Sequence, residues 1–249
     1  MSNVLICGTR GVGKSTLALK VAQAWRGTTV VFDPRGSFDK AGIACYSTEE
    51  LMEHLHTGDY IVNGRPVPLV LRVDGPPDVV FSELCANLFP HQFRGWKGRL
   101  ALIVDESRTL QSANSIHPGL DRVVGQHPIH DVLIIQTTHE IKEWNSKSKS
   151  VMDEVLLFHQ KGPQNYKRIE DLCGTDVAEV VGTHLRPKSE DDPCKHHFVR
   201  YSFSKMFGSQ EWILVDQPET WYTDLGEQNR LPGNREGAQN DDESVSEEM

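Results

Sequence analysis

The stretch CGTRGVGKST at residues 7–16 constrains the fold of this chain more than any other feature. It contains the spacing G-x-x-x-x-G-K-[ST], it follows the apolar run NVLICG, and it precedes an amphipathic helical pattern. Glycines in such a turn let successive backbone N–H groups point inward at an anion, and the start of the following helix adds the positive end of its dipole. The sequence therefore predicts a phosphate-binding loop between a buried strand and a helix.

The residue types in this loop predict their own roles. Lys14 is expected to reach the β- and γ-phosphates of a nucleotide, and the Ser15 hydroxyl is expected to ligate Mg²⁺. The residues predicted to contact the nucleotide are Gly8, Thr9, Arg10, Gly11, Val12, Gly13, Lys14, Ser15 and Thr16. ATP and Mg²⁺ are therefore the expected ligands.

Apolar strand-like runs alternate with helical patterns through most of the chain. Runs such as LALIV at 100–104 and VLII at 132–135 are apolar at consecutive residues, which is typical of strands covered on both faces. The alternation predicts an α/β fold with a mainly parallel sheet flanked by helices, and the phosphate-binding loop makes it a P-loop NTPase. Two late runs, 196–203 and 211–216, predict a small β addition near the C-terminus.

Length and composition favour one folded domain with an appendage. A chain of 249 residues is long enough to bury one α/β core, which we expect within residues 1–226. Residues 227–249 carry seven acidic side chains against two arginines, with almost nothing apolar, although the net charge of the whole chain is only −9. This composition predicts an acidic, disordered tail.

Membrane and disulfide patterns are both missing from the sequence. No apolar run approaches the ~18–20 residues of a membrane span, and the first residues do not read as a signal peptide. The five cysteines are scattered and odd in number, which favours reduced thiols over a disulfide framework. We therefore expect a protein that remains in the cytoplasm.

A second motif, LALIVDE at residues 100–106, delivers two carboxylates at the end of a buried strand. Asp105 is expected to hold the water shell of Mg²⁺, and Glu106 to polarise an attacking water. The alternative is that Glu106 is a solvated strand-end carboxylate without a catalytic role. The pair favours hydrolysis over a nucleoside kinase, which needs a pocket for an acceptor.

A third motif, VLIIQTTHE at residues 132–140, brings an uncharged amide to the end of another buried strand. In P-loop enzymes with one strand inserted between the two nucleotide motifs, a polar residue on that strand can touch both the γ-phosphate and the water. Gln136 is predicted to take this role, unless its amide is simply satisfied by the backbone.

The order VVFDPRGSF, LIVDES and VLIIQTTHEI after the phosphate-binding loop resembles the FtsK/HerA superfamily of ring-forming DNA pumps. The short chain is most similar to the viral branch, the genome-packaging ATPases of double-stranded DNA viruses. The resemblance spans roughly residues 3–160, and the later FVRYSF and EWILVDQPETWY are reminiscent of it. It implies a RecA-like fold of the FtsK/HerA type and an ATPase that pumps double-stranded DNA through a homo-oligomeric ring, expected to be a hexamer. It also implies capsid vertex proteins as further partners, in the host cytoplasm or at a virion vertex.

Such a ring needs an arginine finger, a cation that one subunit delivers to the γ-phosphate held by its neighbour. Many relatives carry an Arg shortly before the third motif, whereas this chain has GQHPIHD, with His127 at that place. The nearest candidates are Arg122, which ranks first, and Arg108. Either could instead be an ordinary surface arginine.

DNA contact is expected from local basic loops because the overall charge is negative. Two loops qualify, at residues 91–99 and 142–150, and either could grip phosphates without reading bases. Solvated loop charge is the alternative. The candidate residues are Arg94, Trp96, Lys97, Arg99, Lys142, Lys147 and Lys149.

Two further groups of residues receive other roles. Cys173, Cys194, His196 and His197 have the atoms for zinc but lack a C-x-x-C pair, so a structural or solvent-exposed role is favoured. Asp33 ends the strand beside the phosphate-binding loop and is expected to shape the wall of the site.

Two other functions remain open at this point. One is the toxin-like assembly ATPase of filamentous phages, which normally carries a membrane segment. The other is a non-pumping P-loop module, a nucleotide-dependent switch or a small-molecule kinase. The N-K-x-D motif that a guanine-specific switch uses does not occur in the sequence.

Overall fold

The computed structural model describes residues 3–93, 99–126, 131–145, 151–203, 211–219 and 221. Its strands are β1 Asn3–Cys7, β2 Thr28–Asp33, β3 Ile43–Cys45, β4 Ile61–Val62, β5 Arg65–Pro66, β6 Leu69–Arg72, β7 Leu100–Val104, β8 Val132–Thr138, β9 Glu154–Leu157, β10 Phe198–Ser202 and β11 Glu211–Val215. Its α-helices are α1 Lys14–Trp25, α2 Thr48–Thr57, α3 Pro77–Phe93, α4 Pro118–Gln126, α5 Pro163–Cys173 and α6 Thr175–Thr183.

Nine strands form one sheet in the order β11-β10-β9-β1-β8-β7-β2-β6-β3. The strands from β9 to β3 in this order pair in parallel, and β10 and β11 add an antiparallel margin. The predicted mainly parallel α/β fold with a small C-terminal β addition is confirmed. Strand β8 lies between β1 and β7, so one strand separates the phosphate-binding loop from the acidic motif.

The two faces of the sheet are covered differently. Helix α1 packs on one face against side chains such as Val4, Ile6 and Ile103, whereas α2 to α6 cover the other face. Every residue of β1, β7 and β8 is buried, which explains why these strands are apolar at consecutive positions. The C-terminal ends of these parallel strands meet at one edge of the sheet, which is the usual place for a ligand in such folds.

Local signals explain two of the helix boundaries. Helix α2 begins after Ser47, whose hydroxyl accepts from the Glu50 backbone N–H at 3.1 Å, which is the N-cap half of a capping box. Helices α5 and α6 meet at Gly174, whose φ of 99° side-chain-bearing residues rarely adopt.

The small hairpin β4–β5 was not among the predicted elements. Its turn contains Asn63 and Gly64, both with positive φ (52° and 72°), as a type I′ turn requires. The Asn-Gly pair in the sequence therefore indicates a hairpin turn. Strands of two residues are too short to produce the run of consecutive apolar residues by which the longer strands were identified.

Several predicted features lie outside the described residues: the acidic tail 227–249, His127 and the DNA-contact candidates Arg94, Trp96, Lys97, Lys147 and Lys149. Across the described ranges, no helix combines the length and the apolar character needed to cross a bilayer.

Candidate active site

The phosphate-binding loop connects β1 to α1 and depends on two glycines with different constraints. A Cβ at Gly8 would lie 2.6 Å from Cβ of Phe158 and 2.8 Å from Cγ2 of Val12, so a larger residue would displace the loop. Gly13 has a φ of 101°, which side-chain-bearing residues rarely adopt, and its carbonyl accepts the Leu17 N–H at 2.9 Å. Gly11 also has a positive φ, of 82°, and such glycines let successive loop N–H groups point toward an anion.

Lys14, the first residue of α1, is 8% exposed and turns back over the loop. Its ammonium donates to the Thr9 carbonyl at 3.0 Å and lies 3.0 Å from Nδ1 of His139. Burial lowers the pKa of Lys14, while the Glu106 and Asp105 carboxylates act in the opposite direction. The cation is thus held in a desolvated place where a phosphate would supply the missing negative charge.

Asp105 follows β7 and is 3% exposed. Its Oδ1 accepts a hydrogen bond of 2.6 Å from the Thr137 hydroxyl, which orients the carboxylate. Its Oδ2 is buried and has no hydrogen-bond partner among the described residues. A buried carboxylate oxygen without a partner suits a hydrated Mg²⁺, and Ser15 in the first turn of α1 could supply a hydroxyl ligand. The residues present therefore fit this ion.

Glu106 is held in an unusual backbone conformation, with φ 48° and ψ 53°. A left-handed conformation costs a non-glycine residue roughly 1–3 kcal/mol and persists only where surrounding contacts enforce it. Here the Glu106 N–H donates to the Thr137 hydroxyl at 3.1 Å, so the same threonine orients both acidic residues. This backbone conformation directs the carboxylate of Glu106, the residue after Asp105, toward the site.

Each oxygen of the Glu106 carboxylate lies beside a different side chain. Oε1 lies 2.6 Å from Nε2 of His139, and Oε2 lies 3.2 Å from Nε of Arg108. The contact with Arg108 is an ion pair without hydrogen-bond geometry, so Oε2 accepts no hydrogen bond from any described residue. Glu106 is only 3% exposed, so the alternative of a solvated strand-end carboxylate does not describe its position.

His139 was not identified from the sequence, although it is the side chain that links the two nucleotide motifs. Its imidazole lies between Lys14 and Glu106, and Nδ1 is also 3.4 Å from the Gly8 carbonyl. It follows β8, the strand inserted between β1 and β7. The signal in the sequence was a polar residue just beyond this strand, but the prediction named Gln136, which lies within the strand.

Gln136 is fully buried on the sheet face opposite α1. It pairs with Val104 in the register of β7 and β8, and both side chains project toward α3 and α4. Its Oε1 accepts from Nε2 of Gln111 at 2.8 Å, and the same Nε2 donates to the Ser107 hydroxyl at 3.0 Å. The structure therefore joins Gln136 to the segment after Glu106, and the contacts with Lys14 and Glu106 are made by His139.

The two candidate arginine fingers have different surroundings. Arg108 is one-third exposed and lies between Glu106 at 3.2 Å and Glu143 at 3.7 Å, all in the same chain. Arg122 projects from the second turn of α4 and is exposed. Of the two, Arg122 has the exposure that a residue needs to reach a neighbouring subunit.

The two DNA-contact candidates within the described residues both have partners in their own chain. The Arg99 guanidinium lies 3.9 Å above the Trp25 ring, and its Nε is 3.2 Å from Asp131. Lys142 forms an ion pair of 3.1 Å with Glu140. A role for either in DNA contact remains a prediction.

Asp33 organises the chain after β2. Its carboxylate accepts from the backbone N–H groups of Ser37 (2.9 Å) and Phe38 (3.0 Å) and from the Arg72 guanidinium (2.9 Å). The N–H of Asp105 donates to the carbonyl of Phe32, the residue before Asp33. This buried network anchors the segment beside the acidic motif.

The residues considered for zinc are separated by the fold. Cys173, the last residue of α5, is buried in the apolar cluster that covers β1 and β9, and its thiol is not part of a disulfide. His196 instead lies against the phosphate-binding loop, with Nδ1 3.1 Å from the Val12 carbonyl. Within the described ranges, no three His, Cys, Asp or Glu side chains are grouped as metal ligands.

Solved structures show what this architecture is similar to. The chain resembles the genome-packaging NTPase B204 of Sulfolobus turreted icosahedral virus 2 in complex with AMPPCP, with a TM-score of 0.64 and 20% identity over 86% of this chain and 96% of that one. B204 of Sulfolobus turreted icosahedral virus, described as a DNA-packaging ATPase, matches with the same TM-score, identity and shares.

VirB4 of Thermoanaerobacter pseudethanolicus matches with a TM-score of 0.57 and 12% identity over 86% of this chain and 88% of that one. No family model and no curated protein sequence matches the chain. At these identities the likeness establishes the fold, which is that of the P-loop NTPases to which the sequence motifs are similar.

Proposed function

We propose that this chain is an ATP-driven double-stranded DNA translocase of the viral genome-packaging kind, acting as a homo-oligomeric ring. The observation that carries the proposal is the buried carboxylate of Glu106, a residue with a left-handed backbone conformation, near Lys14 and Asp105 at the edge of the sheet. The likeness to two viral packaging NTPases over most of the chain supports the choice among P-loop functions. The host cytoplasm or a virion vertex is the proposed location, with capsid vertex proteins as further partners.

The site has the groups that hydrolysis of ATP requires. Lys14 and the loop N–H groups would hold the β- and γ-phosphates, while Ser15 and Asp105 would hold Mg²⁺, which would neutralise charge that develops on the phosphates. The Glu106 carboxylate accepts a proton from water as the water oxygen bonds to the γ-phosphorus. The bond from that phosphorus to the bridging oxygen breaks, and ADP and phosphate leave. His139 and Arg108 keep the carboxylate in the site.

Hydrolysis measured with and without double-stranded DNA tests the proposal. We expect blunt duplex DNA of mixed sequence to stimulate ATP turnover, and the stimulation to fall as salt is raised because phosphate contacts release counterions. Turnover that is indifferent to DNA would contradict a pump, and phosphate transfer to a small acceptor would indicate a kinase. The Glu106→Gln variant serves as the control for contaminating ATPases.

Gln136 provides a prediction about turnover. We expect Gln136→Ala to lower kcat about 10-fold or more and to leave the Kd for ATP within about threefold, because Gln136 supports the segment after Glu106 through Gln111 and a misplaced group of about 1 Å can cost about 10²-fold in rate. Steady-state kinetics and binding of a fluorescent ATP analogue measure the two effects. The matched control is Gln23→Ala, on the exposed side of α1. An equal loss of binding and turnover would mean that Gln136 contributes to the binding of ATP and not specifically to the rate of hydrolysis.

A second prediction concerns the ring. If Arg122 acts across a subunit interface, Arg122→Ala and Glu106→Gln should each be inactive alone, while an equal mixture of the two regains part of the activity. Roughly a quarter of the interfaces in a mixed, head-to-tail ring would join an intact Glu106 to an intact Arg122. Hydrolysis by the mixed proteins, with Arg186→Ala as the exposed-arginine control, measures this. Mixtures no more active than their components would remove Arg122 as the finger.

A further inference from the structure

The imidazole of His139 joins the cation of the phosphate-binding loop to the carboxylate at the end of the acidic motif. Nδ1 lies 3.0 Å from the Lys14 ammonium, and Nε2 lies 2.6 Å from Oε1 of Glu106. The ring is about one-quarter exposed, whereas both partners are buried. Lys14 begins α1, whereas Glu106 and His139 follow β7 and β8, so only the folded sheet brings the three side chains together.

The donors and acceptors in this chain determine where the imidazole proton resides. An ammonium can only donate, so Nδ1 must be the acceptor for Lys14. A carboxylate can only accept, so Nε2 must carry the proton that is donated to Glu106. These two contacts are satisfied together by an imidazole with its proton on Nε2, and the Gly8 carbonyl, 3.4 Å from Nδ1, is then a neighbour of the ring without a hydrogen bond to it. A ring protonated at both nitrogens would direct an N–H at the ammonium.

The chain of contacts makes the Glu106 carboxylate sensitive to the position of Lys14. An ammonium at Nδ1 polarises the ring and strengthens the Nε2–H bond to Glu106, since linked hydrogen bonds reinforce one another. A phosphate would draw Lys14 from Nδ1, and the bond to Glu106 would then weaken. The weaker bond from His139, the left-handed backbone and Arg108 would together keep the carboxylate aimed.

We propose that His139 is a positioning residue that couples Lys14 to Glu106. Its Nε2–H holds Oε1 of the Glu106 carboxylate, and its Nδ1 contacts Lys14. When a γ-phosphate draws the lysine away, the Nε2–H bond weakens but still orients the carboxylate, which takes the proton of the attacking water. The proposal rests on the hydrolytic function of this site, but it requires neither DNA nor a ring.

Kinetics of His139 variants test the coupling. We expect His139→Ala to lower kcat by about 10- to 100-fold, the range that loss of alignment of a general base can produce, with the Kd for ATP within about threefold of the parent. His139→Gln should restore much of the loss, because its amide can donate to Glu106 and accept from Lys14. His139→Leu, similar in size but without polar atoms, should not. In a Glu106→Gln background, His139→Ala should cost nothing further.

Nitrogen NMR of the imidazole tests the proposal independently of activity. The nucleotide-free protein should have His139 in the Nε2-protonated tautomer, and Mg²⁺ with AMPPCP should shift the Nδ1 resonance as Lys14 leaves. His184→Ala, at an exposed site after α6, is the control for variant stability and assignment.

The outcomes separate this proposal from the proposed function. An Nδ1-protonated or doubly protonated ring in the free protein, or equal kcat for His139→Ala and the parent, would overturn the role of His139. The expected tautomer and kinetics in a protein whose turnover ignores DNA would uphold His139 and remove the pump. A parent that binds the analogue but hydrolyses no ATP would overturn both.

Discussion

Replacing Glu106 with Gln should leave ATP bound and stop its hydrolysis. The amide is nearly the same size as the carboxylate but cannot take the proton of the attacking water, and a general base contributes about 10²–10⁴-fold to a rate. We expect kcat to fall by that factor while the Kd for ATP stays within about threefold of the parent. Steady-state hydrolysis and binding of a fluorescent ATP analogue measure the two quantities.

The control for this substitution is Glu53→Gln, which makes the same chemical change on an exposed position of α2. Its kcat should equal that of the parent. If Glu106→Gln turned over ATP at the parental rate, the base would be a different group. If Glu106→Gln also lost nucleotide binding, Glu106 would contribute to the binding of ATP, through its effect on the neighbouring Lys14.

Replacing Lys14 with Ala should abolish nucleotide binding at working concentrations. Truncation of one partner of a buried, hydrogen-bonded charge pair costs roughly 2–5 kcal/mol, so a loss of ~3 kcal/mol would raise the Kd for ATP by more than about 100-fold. The fold should survive, because burial without a full counter-charge already lowers the pKa of this ammonium. Titration with the fluorescent analogue and thermal unfolding without nucleotide measure the two effects.

Lys40→Ala, at an exposed position after β2, is the matched control and should bind ATP as the parent does. ATP should raise the Tm of the parent and of this control, since a ligand that binds the folded state stabilises it, but should not raise the Tm of Lys14→Ala. Parental affinity in Lys14→Ala would mean that the loop at residues 8–16 is not the phosphate site.

The fold and the two main motifs were predictable from the sequence because their signals are local. The loop glycines and Lys14 lie within nine residues of one another, and Asp105 and Glu106 directly follow a buried apolar run. Parallel strands with runs of consecutive apolar residues left little choice of fold class. These features depend on neighbours in the chain, so residue type and spacing were sufficient.

The polar residue of the inserted strand was harder to identify because its role depends on strand register. Gln136 and Thr137 differ by one position and therefore project to opposite faces of the sheet. Thr137 faces α1 and bonds to Asp105, whereas Gln136 faces α3 and α4. A shift of one residue exchanges these faces, and the sequence of β8 is apolar on both.

His139 could not be assigned a role from local sequence. Its two partners lie 125 and 33 residues away, and each contact requires the order β1-β8-β7 in the sheet. In the sequence the residue follows a strand and precedes Glu140, a place where a solvated histidine is equally compatible. Only the assembled edge of the sheet identifies it as the link between Lys14 and Glu106.

Displacement of a DNA triplex is the measurement that tests the central claim most directly. A third strand bound to one end of a linear duplex is released when a motor runs along the duplex, and its release is read by a fluorescent label on that strand. We predict release by the parent with ATP, no release with AMPPCP, and no release by Glu106→Gln. Sustained ATP hydrolysis on the same DNA, with the third strand left in place, would contradict translocation.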